Sequence, residues 1–549
     1  SPNRDFAEAV EDMGISLQVD YDFGGVTLTS ITAYRDWYAT RNQDIDFSGL
    51  DRAYRDNYRT GLKDFTQEIR LQGTAFDGVL DWLVGGFYLN EELTLTDSVR
   101  FGTQASEYVD ALLSANTVGL SPLAPNGFSL FGSLPGRPFL GNAFLADPTV
   151  AAAVGANPAL LPQFLTFLPQ SETGPGGIAG QIGDSYAVDT NALAIFTHNI
   201  INISDTLSLT LGLRFNHEKK DFSADLNAVN PACAAILPGG AQSFFGAVFA
   251  SQTALNSIRL LTCNPVVNPE FNGAYEDERE ENEFTGTARI AWKATDDVLA
   301  FAAYSRGYKS GGYNLDRGGF DSVYFGGNGA QPSDLEFDKE TVDSFEVGLK
   351  TNFSRAFQFN VTGFYQEFQG YQNLQFEGSS FVVRSFEKVV SQGVELESVI
   401  RPASDIFFNL GYTYVEAVVD DPVNGGVNDG RNLVSQPRNI VSIAGTWTPQ
   451  LSDGVNLLLH GDARFNGEYN AGTNDPAAVP FVRNTAFTVV NLRAGVEFGD
   501  GRFAVEGYVE NLFDDYYNLT SFPVPEQDDT FAVYPSQPRF YGVKVRAEF

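Results

Sequence analysis

Residues 207–215 read Leu207-Ser208-Leu209-Thr210-Leu211-Gly212-Leu213-Arg214-Phe215. Every odd position is apolar and every even one is polar or glycine. In an extended chain successive side chains project to opposite faces, so this is a strand with one greasy and one polar face. The same split returns at Phe284, Ala288, Ile290 and Trp292 against Thr285, Thr287 and Arg289, and at Phe503, Val505 and Val509 against Glu506, Tyr508 and Glu510. At the end of the chain Tyr541, Val543, Val545, Ala547 and Phe549 alternate with Lys544, Arg546 and Glu548.

A soluble sandwich alternates too, so length and punctuation decide the class. About 17 strands can be read. They open with 15–23, 25–40, 62–73 and 79–96 and continue through 186–203, 205–222, 281–293, 297–309, 339–352, 355–374 and 380–402. The series ends with 404–419, 436–449, 453–468, 483–499, 501–513 and 537–549. Most run to ten residues or more, whereas globular strands average about five or six, and such length suits a tilted bilayer crossing. Short turns at Gly24-Gly25, Ser204-Asp205, Thr295-Asp296, Ser354-Arg355, Ala403-Ser404 and Gly499-Asp500-Gly501 alternate with long connections over 41–61, 97–185, 223–280, 310–338, 420–435, 469–482 and 514–536. Short turns on one rim and long loops on the other are expected of an all-β, transmembrane antiparallel β-barrel of the outer membrane.

Composition agrees. Among 549 residues, 46 Phe, 23 Tyr, 54 Gly and 25 Pro form an all-β mixture of strand formers and turn residues. No segment offers the roughly 18 uninterrupted apolar residues of a membrane helix. The 35 basic and 69 acidic side chains give a net charge of −34, which argues against a nucleic-acid partner. Cys233 and Cys263 have a spacing that fits no metal knuckle. One disulfide in an oxidising compartment is the natural reading, with two unpaired thiols the alternative.

About 17 strands is an odd number, and a bacterial barrel closes with an even one. The first and last strands both run toward the short-turn rim and could not pair antiparallel. Either the count is off by one, or an odd number of strands precedes Ser1, and the missing start Met and signal peptide favour the second.

The chain resembles the β-barrel part of a TonB-dependent outer-membrane receptor. The resemblance rests on Leu28–Tyr34, Phe65–Leu71, Trp82–Tyr88, Leu207–Phe215, Tyr304–Asn314, Gly393–Glu397, Glu510–Asn518 and Pro538 to Phe549, taken in order. Such receptors pass a plug through a barrel of about 22 strands. The resemblance therefore implies one incomplete barrel domain over residues 1–549, with the plug and about five strands upstream. It implies TonB-dependent active uptake of a scarce nutrient, a ferric siderophore first, across the outer membrane of a Gram-negative bacterium. The partners would be the TonB-ExbB-ExbD complex, outer-membrane lipid and lipopolysaccharide, and a small ligand such as a metal chelate. The alternative is a passive channel or a structural barrel within a larger assembly.

Transport breaks no bond, so function is expected at loop tips and the lumen wall. If Leu299, Phe301 and Ala303 face lipid, then Tyr304, Arg306 and Tyr308 line the lumen and lead to Lys309, Tyr313 and Asn314. A cation beside aromatic faces suits a planar or anionic ligand. The blander reading is that this column meets the plug or balances neighbouring lumen charges. Glu276, Asp277, Glu278, Glu280, Glu281 and Glu283 read as a solvated rim or a divalent-cation site, and Asp420, Asp421, Asn424, Asn428 and Asp429 as a weaker calcium candidate. The apolar, Pro-rich 97–185 connection is expected to carry short helices over the mouth, and Phe244 to Leu261 another helix. Trp82, Trp292 and Trp447 read as an interfacial girdle, and Phe549 as a terminal aromatic signal for assembly. His198, His217 and His460 all fall on or at strands, and no nucleophile elbow, metal cluster or phosphate loop can be read. Neither an enzymatic activity nor a cofactor is expected.

Overall fold

Strands of this length carry a backbone donor and acceptor at every residue, and only a neighbouring strand can satisfy them in lipid. The computed structural model of the chain meets that demand with a single antiparallel meander. It describes residues 4, 6–116, 118, 125–127, 129, 135, 148–159, 162, 180–230, 233, 263–377, 380–423, 425–499, 501–525, 527 and 529–548. The wall strands are β1 (Glu8–Asp22), β2 (Val26–Asp44), β3 (Ala53–Ala75), β4 (Leu80–Asp97), β5 (Asp184–Ser204), β6 (Leu207–Leu226), β7 (Gly273–Thr295) and β8 (Val298–Lys309). They continue as β9 (Glu340–Ser354), β10 (Phe357–Glu377), β11 (Ser380–Ala403), β12 (Ile406–Val419), β13 (Asn439–Trp447), β14 (Val455–Asn466), β15 (Phe487–Phe498), β16 (Phe503–Glu510) and β17 (Phe540–Ala547). Each pairs with the next, and among the described residues β1 and β17 have one wall neighbour each. Four short strands, Val99–Phe101, Gly180–Gln181, Ala228–Val229 and Gln450–Ser452, complete a 21-stranded sheet.

Register sorts the faces. Ile195 stands opposite Phe215 and Phe215 opposite Phe284, so the three lie abreast on one face. The Phe215 and Phe284 rings are 4.9 Å apart, and Ile195 and Phe284 are about 60% exposed (62% and 59%). Exposed Leu213, Ile290, Val347, Val505, Val543 and Val545 extend this outward band. On β6 the band spans Leu207–Phe215, about the nine to eleven residues of a tilted bilayer crossing. Trp292 and Trp447 sit near the short-turn rim, the level at which a girdle belongs.

Beyond the band the strands do not stop. β6 and β7 continue as a polar hairpin in which His217 to Leu226 pair with Asn282 to Gly273. Likewise β1 begins at Glu8 and β3 at Ala53, well before the boundaries expected from alternation. Above the bilayer the outward face turns polar while Phe222, Ala224 and Leu226 stay buried on the inner one, so the apolar band ends although the ladder of hydrogen bonds goes on. The turn Gly24-Gly25 works because both residues sit at positive φ, 85° and 118°, where glycine alone is unstrained.

Candidate functional site

The β8 column does not face as alternation suggested. Tyr304 stands opposite Ala288, Ala302 opposite Ile290 and Ala300 opposite Trp292, and directly paired residues share a face. Tyr304 and Arg306 therefore point outward, while Phe301 points into the lumen. Arg289 lies over the Phe301 ring (4.5 Å to the centroid) and Lys350 lies 5.8 Å from it. Gly348 opposite makes room, since a Cβ there would come within 2.7 Å of the ring. The expectation inverted because the outward positions of β8 hold small alanines, so the largest apolar side chain marked the wrong face.

The six predicted residues are consequently not one column. The Tyr304 hydroxyl donates to Asp343 Oδ1 (2.7 Å) and Arg306 pairs with Asp343 Oδ2 (2.8 Å), a closed outer-face triad. Above Arg306 the pairing of β8 with β7 ends and the chain bends inward. The Tyr308 hydroxyl donates to Glu281 (3.1 Å), and the Gly311 amide donates to the same carboxylate. Lys309 is exposed. Tyr313 is buried against Phe222, with rings stacked at 4.5 Å, and burial raises its hydroxyl pKa. Asn314 bridges strands: its Nδ2 donates to Leu335 O and Val383 O, and its Oδ1 accepts from the Val383 amide (2.7 Å). Tyr313 and Asn314 thus sit in the framework of the mouth, each 7% exposed.

That framework is centred on a buried ion pair. Arg317 and Asp184 are both 0% exposed. Nη1 of Arg317 reaches both carboxylate oxygens (3.2 and 3.1 Å), while Nη2 donates to Asn268 O and Asn272 Oδ1, each at 3.0 Å. Burial pushes Asp184 up to about 6 against the opposing pull of Arg317. A second pair, Arg55 with Asp97 (2.9 Å), lies beside Asp316, and burial raises Asp97 too. Around these charges pack Tyr186, Phe222, Leu226, Phe271, Phe320 and Leu335.

Loops rooted far apart along the wall also meet. Phe522, from the β16–β17 connection, touches Phe47 of the β2–β3 connection (ring centroids 4.6 Å), and Phe376 and Phe381 of the β10–β11 hairpin (5.7 and 5.5 Å). Arg52 donates to Pro525 O (3.1 Å) and lies over the Tyr108 ring (4.2 Å) of the helix α1 (Ala105–Asn116). A second helix, α2, spans Pro148–Ala156, so the long connection holds helices as expected. The disulfide Cys233–Cys263, 4.9 Å between Cα atoms, joins the base of the 223–280 connection. The proposed helix at Phe244 to Leu261 and the terminal Phe549 lie outside the described residues.

The acidic run is largely paired. Lys219 bridges Glu278 (3.0 Å) and Asp221, Arg279 binds Glu281 (2.6 Å), Lys339 binds Glu283, and His217 faces Glu280. In the second acidic loop Lys388 holds Asp420, Asp421 accepts from the Glu387 amide, and Asn428 accepts from Asn474; Asn424 lies outside the described residues. Among the described residues no group of three or more His, Cys, Asp or Glu is arranged for a metal.

A site that alternation passed over lies further round the wall. Between β14, β15 and the loops above them is a cavity of about 390 Å³, lined by Asp462, Arg464, Asn466, Tyr469, Phe487, Asn491 and Tyr517 among others. These residues come from three separate stretches. An arginine on a polar strand face with phenylalanine next to it, Arg464-Phe465, was the only local signal.

The family model described as TonB dependent receptor-like, beta-barrel, matches residues 9–512. The fold is similar to that of the ferric yersiniabactin uptake receptor FyuA from Yersinia pestis, with a TM-score of 0.65 at 14% identity, covering 99% of this chain and 62% of that one. It is also similar to the closed form of the ferric-catecholate import receptor Fiu from E. coli K12 (TM-score 0.61, 14% identity, 99% of this chain and 64% of that one). The siderophore receptor PiuA from Acinetobacter baumannii gives a TM-score of 0.61 at 14% identity over 98% of this chain and 64% of that one. The chain thus spans less than two thirds of the length of these structures, and at such identity the likeness concerns the fold.

Proposed function

The chain belongs to the TonB-dependent receptors, β-barrel proteins of the Gram-negative outer membrane, and on that premise we propose that it takes part in energised uptake of a scarce nutrient, a ferric siderophore first among them. The observation that carries this reading is the meeting of the three loop connections at Phe522. A passive channel has no use for loops that reach across to each other over its mouth, whereas a receptor needs a cap that closes on a ligand. In this reading the ligand enters between the capping loops and TonB, energised through ExbB and ExbD, drives its release inward. The charged outer hairpin of His217, Lys219 and Glu278 stands at the level of lipopolysaccharide headgroups. Support for a metal chelate comes from the names of the three similar structures, all receptors for siderophores or their ferric complexes.

The test is genetic. A strain lacking the gene, starved of iron, is expected to lose growth on at least one ferric chelate and to regain it with the gene restored, but only where TonB is present. Unchanged growth on every chelate, with a deficit on cobalamin or oligosaccharide, would move the substrate class. Growth restored equally without TonB would leave the passive channel.

A further inference from the structure

We infer that the inner wall at Arg464 is a binding site for an anionic chelate carrying aryl groups. The residues lie on the lumen face by register. Arg464 stands opposite Val489, Asn466 opposite Phe487 and Asp462 opposite Asn491, while the intervening Phe465 and Leu492 are exposed on the outward face. The cavity of about 390 Å³ falls within the range of small-molecule sites, roughly 300–1,000 Å³.

Charge selects the ligand's sign. In a chain of net charge −34, the guanidinium of Arg464 forms no ion pair among the described residues; its Nε donates to Asn466 Oδ1 (3.3 Å). The one acid in the lining, Asp462, does not pair with Arg464: it accepts from Asn491 Nδ2 (2.8 Å), also in the lining, and lies 3.5 Å from His460 Nε2. Of the arginines in the neighbouring loops, Arg438 is paired with Glu416 (3.0 Å) and Arg483 with Glu468 (2.6 Å), while Arg431 donates to the Asn474 backbone carbonyl (2.7 Å) outside this cavity. A guanidinium fork left over on a polar wall is suited to catecholate or carboxylate oxygens, which it can engage with two parallel hydrogen bonds.

Aromatic faces select the rest. Phe487 and Tyr517 stack with centroids 4.0 Å apart and planes at 11°, and Tyr469 lies 6.3 Å from Phe487. Rings offered beside a cation favour a flat aromatic group bearing negative oxygen over an aliphatic chelator of the same charge. The metal in the chelate rests on the uptake reading above; the anionic aryl group rests on the wall alone.

The experiment is isothermal titration of the receptor purified from outer membranes with three probes. Ferric tris(catecholate) is anionic and aryl, ferric citrate anionic without rings, and ferric tris(acetohydroxamate) neutral without rings. The first is expected to bind most tightly. Arg464→Gln is expected to weaken it about tenfold or more and to leave the neutral complex unchanged, with Arg464→Lys in between. Val489→Trp, which fills the cavity without altering charge, is expected to abolish binding, and it decides the matter should the arginine variant fail to reach the membrane. Equal binding of ferric tris(catecholate) by wild type, R464Q and V489W, or no preference for it in the wild type, overturns the site. TonB-dependent uptake that both variants leave intact retains the uptake reading and rejects the site. Binding lost in both variants, in cells that show no TonB-dependent uptake, does the reverse.

Discussion

Replacing Arg317 by methionine removes the centre of the cap. In the folded protein Arg317 makes four hydrogen bonds of 3.0–3.2 Å to Asp184, Asn268 and Asn272, and it and Asp184 are wholly buried. Methionine fills much of the same volume but leaves the Asp184 carboxylate without its counter-charge. Removing one partner of a buried pair costs about 3–5 kcal/mol, whereas replacing both by apolar groups is often close to neutral. At about 1.4 kcal/mol per tenfold, R317M should raise local opening of the cap by roughly two to three and a half orders of magnitude. Hydrogen exchange of the native receptor reads this directly at Asn314, whose amide donates to Leu335 O (2.7 Å), and at Phe320, whose amide donates to Arg317 O (3.2 Å). The double variant D184L/R317M should recover most of the protection. If R317M exchanges like wild type, or if the double variant is as open as the single, the ion pair does not hold the cap and the argument fails.

Three further outcomes follow from the same geometry. Leu211→Arg, on the lipid face of β6, is expected to cost about 2–4 kcal/mol in urea unfolding, while Thr210→Glu, the residue before it and opposite lumen-facing Arg289, is tolerated; equal effects would contradict the assigned faces. Phe522→Ala removes the ring at which three connections meet, and faster exchange of the Val524 amide, bonded to Thr530 O, is expected, corresponding to about 3 kcal/mol. Asp184 holds its proton up to about pH 6, above a free carboxyl, so the closed cap binds that proton more tightly than the open one. Its stability should therefore rise as pH falls from 7 to 5, by about tenfold in protection, and be lost again as pH climbs through 6; D184N should lose most of that dependence, what remains being carried by Asp97, which burial also raises.

How much could be read in advance depended on contrast between the two faces of a strand. Leu207–Phe215 sits in lipid on one side and in a polar lumen on the other, so its pattern is unambiguous. On the hairpin of His217 and Glu280 the outward face is no longer apolar, so the strands were read only to 222 and from 281, whereas the ladder runs on to Leu226 and back from Gly273. On β8 the outward alanines were smaller than inward Phe301, which rests on Arg289 and Gly348, so size misled where polarity was weak. The Arg464 cavity was illegible for another reason. Arg464, Phe487 and Tyr517 meet only through strand register and the fold of the connection after β16, neither of which local sequence carries.

The central claim is energised import, and the most direct measurement is accumulation of radioactive iron from ferric tris(catecholate) by cells carrying the native gene. The account predicts uptake that stops on addition of a protonophore or deletion of TonB and drops with Arg464→Gln. Iron accumulation that persists without the proton gradient and without TonB would contradict it.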